Sequence, residues 1–158
     1  SVEVFGYRDG ACQQYMIELG KSLQYTNILR DIGNDAERGR IYLPQEAMER
    51  FGVDPRSILS GKYSTAFYNL ADEMAGLTRR HFRKTADLLP DGDRRSMISG
   101  ECMAAVYWRI LRAIEKTRFR VVLDPVPLKL SKLTKLSILF GVWARTYMGS
   151  SMANYGQD

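Results

Sequence analysis

Gly20, Gln24, Asn27, Asp31 and Asp35 recur at three- and four-residue steps in the first quarter of this 158-residue chain. With Asn27 as zero and about 100° per residue, Gly20 falls at about 20°, Asp31 at about 40°, Gln24 at about 60° and Asp35 at about 80°. Two carboxylates, two carboxamides and a glycine therefore share one narrow face of a helix. Carboxylates one turn apart repel each other, a cost most easily tolerated where a cation sits between them. The donors are all oxygen, with no thiol or imidazole among them, and that set suits magnesium. A solvated acidic face is the plain alternative for an Asp-x-x-x-Asp pair. Gln24 and Asn27 on the same stripe favour a site, because carboxamides are poor helix formers with no local reason to align.

The run Gln24-Tyr25-Thr26-Asn27-Ile28-Leu29-Arg30-Asp31-Ile32-Gly33-Asn34-Asp35, continuing through Gly39-Arg40-Ile41-Tyr42-Leu43-Pro44, resembles the second aspartate-rich motif of the squalene/phytoene synthases. These are head-to-head prenyl diphosphate synthases. The resemblance starts at Phe5-Gly6-Tyr7-Arg8-Asp9 and covers nearly all of the chain, most weakly after Arg120. It implies that Asp31 and Asp35 are magnesium-binding aspartates, with Asn27 a further ligand. Gln24 and Asn27 would orient metal-bound water and substrate diphosphate. Arg30 and Arg40 would help hold the diphosphate, since a guanidinium matches phosphate oxygens bidentately, and Arg38 flanks the same loop. Tyr42 lies in the same string, with packing as its alternative role. Met103-Ala104-Ala105-Val106-Tyr107-Trp108-Arg109-Ile110-Leu111 is similar to the family's late helix, whose tyrosine faces the active cavity, so Tyr107 is a candidate catalytic residue with core packing as the alternative. The family's Arg-rich extended stretch after that helix is replaced by Val121-Val122-Leu123-Asp124-Pro125. Within the family, Leu89 to Ile110 looks most like bacterial presqualene diphosphate synthases, with phytoene synthases the neighbouring branch.

The resemblance further implies an all-α helical bundle, part of an isoprenoid synthase (class I terpenoid synthase) fold. The implied reaction is Mg2+-assisted ionisation of one prenyl diphosphate, farnesyl or geranylgeranyl, and capture of its allylic cation by a second. NADPH enters only if the full enzyme makes squalene. The chemistry needs two acidic motifs, and the sequence holds one. Asp87 and Asp91 come nearest to a second, but Pro90 and Gly92 break the helix there. The expectation is a C-terminal part of a longer enzyme, inactive alone, since Ser1 matches a mid-protein position of the family. A non-catalytic helical assembly protein of the same superfamily, or a membrane-surface protein, is the alternative.

The elements that must carry these residues follow from periodicity and punctuation. Tyr15, Met16, Leu19, Leu23 and Thr26 mark an amphipathic helix over about 11–35, with Asp9 as its N-cap and Gly33 and Gly39 loosening its end. Pro44 opens a short helix, Gln45 to Phe51, that Gly52 ends. Another short piece lies between Pro55 and Ser60. Long helices are predicted over 64–89, along Phe67, Leu70, Ala71, Met74, Leu77 and Phe82, and over 94–118, along Met97, Met103, Val106, Tyr107, Ile110, Leu111 and Ile114. With Pro125 and Pro127, 120–128 reads as extended. A last helix spans 129–147. Residues 1–148 form one domain portion, and 149–158 is a polar tail expected to fray.

Hydrophobic residues at 45% and charged residues at 26% place the chain among globular proteins. A net charge of +5 favours anionic partners. No nucleic-acid motif accompanies it, so nucleic acid ranks last. Cys12 and Cys102 lie far apart and His81 is the single histidine, which argues against structural zinc or a disulfide framework. His81 reads as a surface or helix-packing residue. The absence of an 18-residue apolar run gives no spanning helix. The expected location is cytoplasmic, peripheral on the inner membrane surface through the basic, leucine-rich last helix. Self-association through an exposed inner face is also expected.

Overall fold

The computed structural model describes residues 10–89, 97–148 and 153–157; the expected cap at Asp9 and the turn 90–93 lie outside them. The described residues form helices α1 (Gly10–Arg30), α2 (Ile32–Glu37), α3 (Gln45–Phe51), α4 (Pro55–Leu59), α5 (Thr65–Asp87), α6 (Ile98–Lys116) and α7 (Lys132–Met148), with a 3-10 turn at Val121–Leu123. No strand occurs among them, so the fold class is all-α. The chain divides into two compact units. One comprises Ser1–Leu23, Thr78–Arg109 and Leu130–Asp158, the other Gln24–Leu77 and Ile110–Lys129.

Local chemistry sets most helix ends. Asp54 accepts a hydrogen bond from the Arg56 N–H at 2.9 Å and so caps α4, with Pro55 at its first position. Gly52 closes α3 in the left-handed conformation at φ 68°. The Ser64 hydroxyl accepts from Phe67 N–H at 3.1 Å at the start of α5. Ser131 does the same for Thr134 at 3.1 Å, so α7 begins three residues later than its leucine pattern predicts.

In the first unit, α1 buries Cys12, Tyr15 and Leu19 together with Glu18 and Ser22. The Ser22 hydroxyl donates to the Leu19 carbonyl at 2.7 Å, which removes the cost of burying it. His81 on α5 packs on α1 through Glu18, Nδ1 to Oε2 2.5 Å. Phe82 meets Trp108 edge-to-face at 5.4 Å and Tyr155 at 6.2 Å between ring centroids, the arrangement that aromatic quadrupoles prefer. Ile138 and Val142 of α7 pack on Ala105 of α6.

Two expectations are corrected here. The stretch 153–157 is not a frayed tail: Tyr155 is buried, its hydroxyl bonded to Glu101. Met103 is exposed, and Val106 and Tyr107 are only half-buried; α6 buries Ile110, Leu111 and Ile114 as expected, and adds Ala104, Ala105 and Trp108.

In the second unit, α5 buries Phe67, Leu70, Ala71 and Met74 as its apolar stripe requires. Past α6, Arg118 and Phe119 adopt φ of 52° and 61°, a conformation that costs roughly 1–2 kcal/mol for each non-glycine residue. The surroundings hold it. Phe119 is buried beside Tyr68, and the Tyr63 hydroxyl donates to the Arg118 carbonyl at 2.9 Å. This reversal sends the chain into the 3-10 turn at Val121–Leu123, where a fully extended segment was expected. The turn packs on α2.

Candidate active site

The single helix expected over 11–35 is interrupted at Asp31. There φ is −100° and ψ 7°, the sparsely populated bridge region. Helical spacing nevertheless persists across the break. Asp31 N–H donates to the Asn27 carbonyl at 3.0 Å, and Asp35 N–H to the Asp31 carbonyl at 2.8 Å. Asn27, Asp31 and Asp35 are thus kept one turn apart in sequence by backbone bonds that skip the kink.

Asp31 and Asp35 are both half-buried. Arg30 grips Asp31 bidentately, Nε to Oδ1 and Nη2 to Oδ2, each at 2.7 Å. The fork neutralises and orients that carboxylate, so Arg30 serves the aspartate beside it before any diphosphate. Asn27 carries a buried Oδ1 with no hydrogen-bond partner. A buried acceptor left unpaired costs about 1–3 kcal/mol, and among the described residues it is the side-chain atom that most asks for a ligand. Gln24 is exposed one turn earlier.

The loop after α2 folds back on Asp35. The Asp35 carbonyl accepts from the N–H groups of Arg38 at 3.0 Å and Arg40 at 2.9 Å, with Gly39 at φ 68° making the turn. Asp35, Arg40 and Tyr42 line one small recess of about 10 Å³ together with Ile28, Ile32 and Ile58. An acidic, a basic and a phenolic residue thus border one recess among isoleucines. Arg38 lies on the surface and lines no part of it. Tyr107 lies in the first unit, half-buried on α6.

The donors suit a magnesium ion that keeps part of its water shell. Two carboxylates and an unpartnered carboxamide oxygen are all hard ligands. Among the described residues, no group of three His, Cys, Asp or Glu could bind a metal without water or carboxamide help.

Sequence reasoning missed what stands behind the site. Gly33 lies against the backbone of Leu123 and Asp124. It does not loosen the helix end; it admits the 3-10 turn. A glycine two residues after Asp31 was the available signal, since a mid-helix glycine costs about 1 kcal/mol and is kept for a reason. Arg118 and Arg120 were also passed over. Their guanidinium groups lie 4.9 Å over Tyr68 and 4.7 Å over Tyr63.

Residues 1–134 match the family described as squalene/phytoene synthase. The chain is 32% identical over 143 residues to presqualene diphosphate synthase of Sinorhizobium fredii, covering 89% of this chain and 50% of that protein. It is 36% identical over 120 residues to phytoene synthase of Mycobacterium tuberculosis, covering 72% of this chain and 38% of that protein. A crystal structure of a dehydrosqualene synthase in complex with ligand superposes with a TM-score of 0.66 at 28% identity, over 83% of this chain and 46% of that one. The chain spans about half the length of the curated relatives it matches, or less.

Proposed function

The chain belongs to the squalene/phytoene synthase family, and from that premise we propose that it supplies the diphosphate-ionising motif of an enzyme joining two prenyl diphosphates head to head. The observation that carries this reading is the buried, unpartnered Asn27 Oδ1, one helical step from Asp31. Asp31, Asp35 and Asn27 would hold magnesium, which when bound supplies positive charge to the departing diphosphate oxygens. Arg30 keeps the Asp31 carboxylate in one orientation. Arg40 and Tyr42, beside Asp35, would take phosphate oxygens directly, and Gln24 would orient water on the exposed side of the stripe.

In the reaction, the bond between C1 of one prenyl chain and its diphosphate oxygen breaks, and the oxygen keeps the electron pair. The allylic cation is then attacked by a double bond of the second prenyl diphosphate, and loss of one proton closes a cyclopropane ring. Charge stabilisation at the leaving group is the main demand on the protein, and it is the demand that this acidic and basic constellation meets. Farnesyl and geranylgeranyl diphosphate are both candidates, and NADPH would be used only if a presqualene product is reduced onward to squalene.

The test is Asp31→Asn and Asp35→Asn in the complete enzyme, with labelled farnesyl and geranylgeranyl diphosphate and saturating magnesium. Turnover should fall by at least about 100-fold, the order seen when one charge-stabilising group is removed, with circular dichroism unchanged. Wild-type turnover in either variant sinks the assignment.

A further inference from the structure

Arg118 and Arg120 stand at a chain reversal that no glycine eases. Arg118 and Phe119 take φ of 52° and 61°, the left-handed region where glycine is the default residue. An arginine there keeps a conformational cost that glycine would remove. The reversal places two guanidinium groups on aromatic faces, Arg118 over Tyr68 at 4.9 Å and Arg120 over Tyr63 at 4.7 Å. The Tyr63 hydroxyl donates to the Arg118 carbonyl at 2.9 Å. Arg118 therefore touches both tyrosines and ties the two pairs into one cluster. All four residues belong to the second unit.

A guanidinium lying flat on a ring is held in place while its N–H edge stays open to a ligand. Both arginines are exposed, and neither pairs with a carboxylate among the described residues. The two segments that build the cluster carry no acid. There is no Asp or Glu from Pro55 to Ala71, nor from Lys116 to Leu123, while Lys62 and Lys116 add positive charge. Such a local field favours an anion. A carboxylate is satisfied by one guanidinium fork, whereas a phosphate dianion has oxygens for two. The 3-10 turn that follows Arg120 packs on α2 at Gly33. By helical count Gly33 lies about 160° round from Asp31 and Asp35, so the segment leading into the turn approaches the acidic stripe from behind.

We propose that Arg118 and Arg120, on their tyrosine platforms, form an accessory site for a small phosphate dianion, separate from the acidic motif. This rests on the arginine–tyrosine cluster alone and not on the catalytic reading above.

The experiment is a phosphorus NMR titration of inorganic phosphate against the full chain, with a chelator present and sodium chloride varied. Saturable binding should appear without magnesium and weaken as salt rises, and acetate should not displace it. Arg118→Gln and Arg120→Gln should each weaken it by roughly tenfold or more, the worth of a charge-assisted hydrogen bond. Arg118→Gly separates this role from a merely structural one. It relieves the left-handed strain, so its melting temperature should equal or exceed that of wild type while phosphate affinity falls as in Arg118→Gln. No saturable binding in the absence of magnesium overturns the proposal, as does equal binding by wild type and both Gln variants. So does an Arg118→Gly protein that melts lower yet binds phosphate like wild type, because the arginine then serves only to fasten the reversal to Tyr68.

Discussion

Gly33 sits so close to Asp124 that a Cβ added there would lie 2.3 Å from the Asp124 carbonyl oxygen and 2.6 Å from its carbonyl carbon. Gly33 lies two residues after Asp31 and two before Asp35. The backbone it touches follows directly on the 3-10 turn that packs against α2. A glycine therefore sets how closely the second unit supports its acidic segment.

Gly33→Ala is expected to destabilise the protein. Helix propensity alone favours alanine by up to about 1 kcal/mol. Overpacking against rigid backbone costs typically about 1–3 kcal/mol, and here the obstacle is a carbonyl rather than a flexible side chain, so the clash wins. The melting temperature should fall by roughly 2–6 °C, at about 2–4 °C per kcal/mol for a chain of this size. In the complete enzyme, turnover should fall further than stability accounts for, as α2 is pushed off its support. A rise in melting temperature would show that propensity dominates and that the turn yields freely.

Much of the scaffold was legible because local chemistry determines it. Pro44 and Gly52 bound α3 where the sequence reading places it, and the α5 stripe from Phe67 to Phe82 is buried almost throughout. The break at Asp31 was not legible. The backbone bonds on both sides of it keep helical spacing, and the close contact at Gly33, two residues on, is with backbone nearly a hundred residues away in sequence. Burial of Tyr155 was hidden likewise, since nothing within a small polar stretch announces a partner at Glu101. Met103 fits the periodicity of α6 yet is exposed, because the alanines and Trp108 take the packed side. The stripe of Asn27, Asp31 and Asp35 was readable from spacing alone, whereas nothing in the spacing announces that Arg30 spends its fork on Asp31.

Acid stability should depend on Glu18. A hydrogen bond from His81 holds its carboxyl below the ordinary glutamate range; burial opposes this, and Lys21, at 3.0 Å, helps. A carboxyl lowered on folding contributes stability fully above its unfolded value. That contribution is lost as pH falls below about 4.5 and through the folded value. Glu18→Gln should therefore lower the melting temperature at neutral pH and flatten its decline in acid. Parallel acid limbs for wild type and variant, in melts taken from neutral to strongly acidic pH, would remove Glu18 from the account.

Two tyrosines share one acceptor. Tyr15 donates to Glu101 Oε1 at 2.6 Å, and Tyr155 donates to the same oxygen. Burial above all, and then Tyr155 and Glu101, push the Tyr15 phenol far above its usual range, so it stays a donor at any working pH. Tyr155→Phe or Tyr15→Phe alone should cost about 1 kcal/mol, the worth of one hydrogen bond. Together they leave buried Glu101 without either hydroxyl. The double variant should then exceed the sum of the singles by about 0.5–3 kcal/mol, the coupling expected within one network. Additive losses in a denaturant double-mutant cycle would mean that the two bonds act independently.

Asn27 gives the sharpest separation between folding and function. Its Oδ1 is buried without a partner, an arrangement that costs the ligand-free protein about 1–3 kcal/mol. Asn27→Ala removes that cost and puts a better helix former into α1. Without ligands, the variant should melt roughly 2–4 °C higher than wild type, for a gain of about 1 kcal/mol. Magnesium with pyrophosphate reverses the order if the oxygen is a ligand. Bound ligand stabilises the folded state by RT ln(1 + [L]/Kd), and a tenfold weaker affinity forfeits about 1.4 kcal/mol of it. Wild type should then melt higher than Asn27→Ala at saturating magnesium and pyrophosphate, and lower in their absence. An equal ligand-induced shift in both proteins would show that Asn27 takes no part in binding, and a ligand-free variant less stable than wild type would show that its oxygen is satisfied within the fold.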